Sequence, residues 1–333
     1  MAANLECLKW NKSVYKLSAE ICRTKYSLAL KPSCLMNLET KSVPIIKLRF
    51  LAESNKLASL ESLNIIKIYD WSKPDIKISS AKYMGKGKVL NLTSNSTGHQ
   101  IATCTDDGKI QLWKFKLSNC VISKELKGHF QQIRGIEFSL DNSKLVSCSN
   151  DKTFKIWDCQ TMKFLASNMF HRNWVNMAKF FNQDKLVASC SRDSLIQIFD
   201  CCSGKCVMKF SLNPDYAESL ALKDEYNVAV GTEQGSVRVY DLRVPKIVQV
   251  YNEHKCKINC IQYQNKTPCL ISGSQDQTLN VYDTHEGRFL YSINHVDSIK
   301  TMDISLDDQL LSTASFVAKN QITIWKSDSV NVL

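Results

Sequence analysis

An aromatic residue closing a short β-branched run recurs seven times at near-constant spacing, and this limits the possible fold more than any other feature. The instances are IIKIYD at Tyr69, KIQLWK at Trp113, TFKIWD at Trp157, LIQIFD at Phe199, SVRVYD at Tyr240, TLNVYD at Tyr282 and QITIWK at Trp325. Successive intervals are 44, 44, 42, 41, 42 and 43 residues. A fixed period of that size signals a repeat architecture, in which each unit buries its apolar surface only by stacking on its neighbours. In the third copy, IRGIEF, KLVSCS and FKIWD alternate apolar and polar residues as half-buried strands do. SLDN and SNDKT supply the turns between them, and FLASNM adds a fourth, outer strand. No helical periodicity of useful length competes, so the chain is expected to be all-β and built from four-stranded units.

A second register runs inside the first. His129 and Asp151, His171 and Asp193, and His254 and Asp276 are each 22 residues apart, and each Asp stands six residues before its aromatic. With Gly128-His129 and Trp157-Asp158, this pattern resembles the WD-repeat family. The resemblance implies a seven-bladed WD40 β-propeller in which a His, a strand Ser, an Asp and a Trp form a hydrogen-bonded tetrad. The matching residues are His129, Ser147, Asp151 and Trp157, with His171–Asp193 and His254–Asp276 in further copies. A pair repeated around a ring with no nucleophile attached reads as a buried structural network rather than a catalytic dyad, because pairing spares both groups the cost of desolvation. Three blades depart from the pattern at the Asp position, with Leu63, Gln234 and Lys319. Phe199, Tyr240 and Tyr282 stand where the Trp would, so their blades lack the indole donor and are expected to be less rigid.

Only eight residues follow Trp325, barely enough for an outer strand. Propellers leave only short, protected sheet edges and commonly close with a strand from the other terminus. The expected closing segment lies within Tyr26–Leu30, giving a basic amino-terminal arm at 1–24 and a propeller over 25–333.

The first residues lack the apolar core of a signal peptide, and no stretch approaches the ~18 apolar residues of a membrane span. A soluble intracellular protein with no membrane partner is expected. Of fourteen cysteines, Cys104, Cys148 and Cys190 recur in IATCTDD, LVSCSND and VASCSRD, as small apolar residues on buried strands would. Cys201, Cys202 and Cys206, like His254, Cys256 and Cys260, lack paired C-x-x-C knuckles, so no metal or other cofactor is expected. Gly85-Lys86-Gly87-Lys88 lacks phosphate-loop spacing, which argues against an enzyme or a small-molecule substrate. The net charge of +11, over half of it in the first 50 residues, favours an acidic partner surface. Lysines spread around the ring, with no RNP-like aromatic motif, give no expectation of nucleic-acid binding.

HRNWVNMAKF (171–180), VYDLRVPKIVQVYNEH (239–254), LNVYDTHEGRFLYSI (279–293) and ITIWKSD (322–328) resemble the proteome-of-centriole WD-repeat proteins. That resemblance implies a non-catalytic scaffold that stabilises centriole, basal-body or ciliary microtubules. It places the chain in the cytoplasm and cytoskeleton, with tubulin or microtubule-associated proteins as partners. Members of that family usually carry a carboxy-terminal coiled coil, and none is expected here. A different reading draws on Tyr240-Asp241-Leu242-Arg243, which resembles the W-D-x-R signature of cullin-type ubiquitin-ligase substrate receptors but lacks its Trp. In a WD repeat the residues flanking the tetrad His and Asp face the narrow top of the ring. That face would gather Arg172, Trp174 and Arg192 with Phe130, Gln132, Arg134 and Asn150 of the adjacent blade. Trp and Arg are the side chains most enriched at binding hot spots. The alternative for Trp174 is ordinary packing beside Val175.

Overall fold

The computed structural model describes residues 32–39, 43–72, 76–116, 119–244, 246–315 and 321–327. They form seven four-stranded antiparallel sheets. Six sheets take consecutive strands in order, as in blade three, where Ile133–Phe138, Lys144–Ser149, Phe154–Asp158 and Phe164–Asn168 run from the inside outward. Each innermost strand lies against those of its two neighbours, and Ile45–Phe50 of blade one meets Ile299–Ile304 of blade seven. The chain is therefore an all-β, seven-bladed WD40 β-propeller.

An amino-terminal strand closes the ring, but not the expected one. Pro32–Glu39 forms the outer edge of blade seven, antiparallel to Gln321–Ser327, with Pro32 opposite Ser327 and Glu39 opposite Gln321. Tyr26–Leu30 and the 1–24 arm lie outside the described residues. The location follows from chain reach. Only five residues separate Glu39 from Ile45, so the segment directly preceding blade one can lie on the adjacent blade seven. Pro32 takes the first position of an edge strand, one of the few places in a sheet where proline is tolerated.

Apolar clusters sit between blades rather than inside any one of them. Ile133, Ile136 and Trp157 of blade three pack on Ala102, Cys104, Ile110 and Leu112 of blade two. Cys104, Cys148 and Cys190 are fully buried in these seams, as small apolar side chains. Hydrogen bonds cross the seams as well. The Asn91, Asn176 and Asn259 side-chain amides donate to the carbonyls of Arg134 (2.8 Å), Ala217 (2.8 Å) and Ile299 (2.7 Å). Where the ring closes, the Phe50 N–H donates to Asp303 at 2.6 Å. The Arg49 guanidinium reaches Asp303 at 3.5 Å and, across to blade three, Glu137 at 3.0 Å. Glu137 raises the pKa of Arg49 despite burial, so this charge is held in place.

All seven inner strands slip register at their second residue, leaving Ile46, Leu90, Arg134, Asn176, Glu218, Asn259 and Lys300 at bulges. A bulge re-aims the side chain it carries. Here two bulge residues a full blade apart, Arg134 and Glu218, approach to 4.0 Å.

Removing residues 1–39 strips the outer edge from blade seven and exposes the backbone groups of Gln321–Ser327. Such an open edge invites pairing with another chain. The truncated protein should aggregate on size exclusion and melt well below a chain that begins at residue 31. Equal melting temperatures for the two would contradict closure by this strand.

Candidate partner-binding rim

In blade three, the spacing noted in the sequence resolves into one connected set of hydrogen bonds. His129 Nδ1 lies 2.8 Å from Asp151 Oδ2, and its Nε2 lies 2.7 Å from Ser147 Oγ. The Trp157 indole N–H donates to the same hydroxyl at 2.9 Å. One protonation pattern satisfies every group: indole to hydroxyl, hydroxyl to Nε2, and Nδ1–H to carboxylate. The imidazole is then neutral, in keeping with burial, which holds the His129 pKa below its ordinary value. Burial works to raise the Asp151 carboxyl, but hydrogen bonds from His129 and Thr153 hold it well below the usual carboxylate range. Gly128 is glycine for a local reason, since a Cβ there would meet the Trp157 ring at 3.1 Å and Ile110 at 3.0 Å.

The same geometry recurs with changes. His171 contacts Ser189 at 2.8 Å and Asp193 at 2.9 Å, while His254 contacts Ser272 at 2.7 Å and Asp276 at 2.9 Å. In blade six the Tyr282 hydroxyl stands in for the indole, 3.3 Å from Ser272 Oγ. In blade four Phe199 offers no donor, and the buried Gln197 amide reaches both His171 Nδ1 and the Phe170 carbonyl at 3.3 Å. Blade seven carries a variant that sequence reasoning missed. Trp325 donates to Thr313 Oγ1 at 2.9 Å, and His295 Nε2 lies 3.2 Å from the same oxygen. Lys319 lies outside the described residues.

Asp–His–Ser is also the order of a hydrolytic triad, so its accessibility decides the reading. Ser147, Ser189 and Ser272 are all completely buried, and no substrate can reach their hydroxyls. These sets hold structure. What they hold is the rim: Asp151, Asp193 and Asp276 accept the backbone N–H of Phe130 (3.3 Å), Arg172 (2.9 Å) and Lys255 (2.9 Å). Each tetrad thereby fixes the residue after its His in an outward-facing loop.

The structure brings most of the expected rim residues together. Trp174, 37% exposed, has the guanidinium carbons of Arg134 and Arg192 each 5.0 Å from its ring centre. Arg192 also lies 5.2 Å from the Tyr216 ring. Arg134 donates to Asn150 Oδ1 at 2.7 Å, and Asn150 donates to Gln132 Oε1 at 3.3 Å. Trp174 is thus neither simply packed down nor freely presented; it belongs to a cation–aromatic cluster. Phe130 and Arg172 stand outside this bonded set and are exposed. Sequence reasoning missed the residue that organises the cluster. Glu218, nearly buried, pairs with Lys257 at 2.6 Å, Arg192 at 2.9 Å and Arg134 at 4.0 Å. Burial works to raise its carboxyl, but these cations hold it below the usual range.

The opposite mouth of the ring opens on a cavity of about 490 Å³, where Arg49 is already paired with Glu137 and Asp303. Arg243, the residue behind the ligase-receptor reading, is tied to Asp241 at 2.7 Å and stacks 4.9 Å from Tyr226. Among the described residues, no group of three or more His, Cys, Asp or Glu could hold a metal ion, and no helix is long and apolar enough to cross a membrane.

The WD domain, G-beta repeat model matches residues 79–114 and 120–158, and the model for the Nucleolar protein 10-like, N-terminal domain matches residues 159–321. The chain is 27% identical over 233 residues to the U3 small nucleolar RNA-associated protein 15 homolog of Xenopus laevis, covering 69% of this chain and 42% of that protein. It is 26% identical to U3 small nucleolar RNA-associated protein 15 of Schizosaccharomyces pombe, over 79% of this chain and 53% of that protein. Apoptotic protease-activating factor 1 of Mus musculus is 25% identical over 82% of this chain and 23% of its own length. The chain thus spans about half or less of these relatives. The centriolar expectation is overturned by these names, and with it tubulin or microtubule-associated partners, a cytoskeletal location and the absence of nucleic acid. Blade segments and a basic charge, on which that expectation leaned, do not distinguish an acidic protein surface from a phosphate backbone.

Asp151→Ala leaves His129 Nδ1–H and the Phe130 N–H without their acceptor, and should cost about 1–3 kcal/mol in stability, read as a lowered melting temperature. Acid should act in the same direction. Burial depresses the His129 and His254 pKa values below the roughly 6.5 of an unfolded chain, so below that pH the unfolded state binds more protons and stability falls. The depressed Asp151, Asp193 and Asp276 carboxyls extend the loss below about pH 4. A melting temperature that stays flat from pH 7.5 to pH 5 would contradict the neutral-imidazole assignment.

Proposed function

We propose that this chain is a non-catalytic scaffold of a nucleolar ribonucleoprotein that assembles with the U3 small nucleolar RNA. The observation that carries this reading is similarity over about two thirds to four fifths of the chain to proteins named for that RNA. The match of residues 159–321 to the model for the Nucleolar protein 10-like, N-terminal domain points the same way. The fold is compatible with such a role. A closed ring of seven blades offers a rigid platform, and its tetrads are spent on holding loops rather than on chemistry. The top rim of blades three to five, centred on Trp174 with Arg134, Arg192 and Asn150, is the surface we assign to partners. Arg172 and Phe130 project beside it. Electrostatics suits the assignment: a chain of net charge +11 is attracted to an RNA-rich particle.

The test is to tag the endogenous protein, image it against a nucleolar marker and sequence the RNA that co-purifies with it. Nucleolar signal with U3 RNA enriched well above other abundant small RNAs is expected. A protein excluded from nucleoli that recovers no small nucleolar RNA would overturn the reading.

A further inference from the structure

The rim of blades three to five alternates aromatic faces with cations. Phe130 is 88% exposed with Lys155 Nζ 5.3 Å from its ring centre, and Phe170 is 52% exposed with Lys209 Nζ 5.7 Å away. The same rim carries Trp174 with Arg134 and Arg192 each 5.0 Å from its ring centre, and Arg192 also lies 5.2 Å from the Tyr216 ring. Exposing two phenylalanines on neighbouring loops loses the benefit of burying them, and the main chain of each is held in place. The Phe130 N–H is bound to Asp151, and the Phe170 N–H donates to Asn168 while its carbonyl accepts from Gln197.

The charges around these rings are one-sided. The rim carboxylates between residues 128 and 236 are already engaged: Asp151 and Asp193 with their histidines, Glu218 and Glu233 with Lys257, and buried Asp215 with backbone N–H groups. Lys152, Lys155, Arg172 and Lys209 carry no ion pair among the described residues. Exposed aromatic rings on held loops beside unneutralised cations are the two components of a single-strand binding surface, where bases stack on rings and phosphates meet the cations. An acidic peptide would use the cations but would leave the ring faces unfilled.

We propose that this rim binds single-stranded RNA, with Phe130 and Phe170 as stacking platforms and Lys152 and Arg172 as phosphate contacts. The proposal rests on the ribonucleoprotein reading above for its choice of RNA, and it makes contact with RNA direct rather than through other proteins. Duplex RNA does not fit, because its bases are already stacked and cannot reach the rings.

The test is fluorescence anisotropy of the purified full chain with a labelled twelve-nucleotide oligouridine. Duplex RNA and polyglutamate serve as competitors. Unlabelled single strand should compete far better than either. Phe130→Ala and Phe170→Ala should each weaken binding by about fivefold or more, given roughly 1–3 kcal/mol per stacked base. Both residues are exposed, so melting temperatures should stay unchanged. Lys152→Ala and Arg172→Ala should each reduce the slope of log affinity against log salt by about 0.7. Binding that survives the double phenylalanine substitution, the absence of any binding by the wild-type chain, or equal competition by polyglutamate would each overturn the proposal. Loss of direct binding with U3 RNA still co-purifying from cells would sink this inference alone. Retained binding by a chain that is never nucleolar would instead sink the ribonucleoprotein reading.

Discussion

An imidazole held between a buried hydroxyl and a carboxylate, in blades three, four and six, is the interaction on which the rim depends. In blade three it joins the loop that enters the blade, through His129, to the second strand, through Ser147, and to the following turn, through Asp151. No blade could bury its faces alone, because the apolar clusters lie in the seams between blades. In blades three, four and six the His–Ser–Asp set fixes the pose of the loop that enters the blade. Its carboxylate has a second duty, accepting the N–H of the next residue and fixing what the top of the ring presents. Structure and presentation therefore share a single set of atoms.

Features internal to one repeat were legible in the sequence. The three strands drawn from IRGIEF, KLVSCS and FKIWD match the observed ones residue for residue, and all three His–Asp pairs at 22-residue spacing are bonded. What escaped was whatever depends on relations between repeats. Glu218 gathers Arg134, Arg192 and Lys257 from three other sheet positions, a convergence with no periodic signature. The closing strand Pro32–Glu39 is chosen by its proximity to blade one rather than by its pattern. The blade-seven network was hidden because Thr313 replaces the serine and His295 precedes its aromatic by 30 residues rather than 28. The departure at Tyr282 is milder than its sequence suggested, since the phenol reaches the hydroxyl that an indole would have reached.

Function was less legible for a related reason. The segments suggesting a centriolar protein are the ones each blade needs to fold and to face outward, so similarity there reports architecture before partners. Net charge is equally indifferent, because tubulin and RNA are both acidic. The arrangement of the charges on the rim is more informative: carboxylates turned inward onto histidines and Lys257, cations left outward beside exposed rings.

Ultraviolet crosslinking of the protein to RNA in living cells, with the attached peptides identified by mass spectrometry, tests the central claim most directly. The account predicts nucleotides attached within residues 128–134 and 168–174, the loops that carry Phe130, Phe170 and Trp174. Crosslinks confined to the opposite mouth of the ring, around Arg49 and Glu137, or no crosslinks at all, would contradict it.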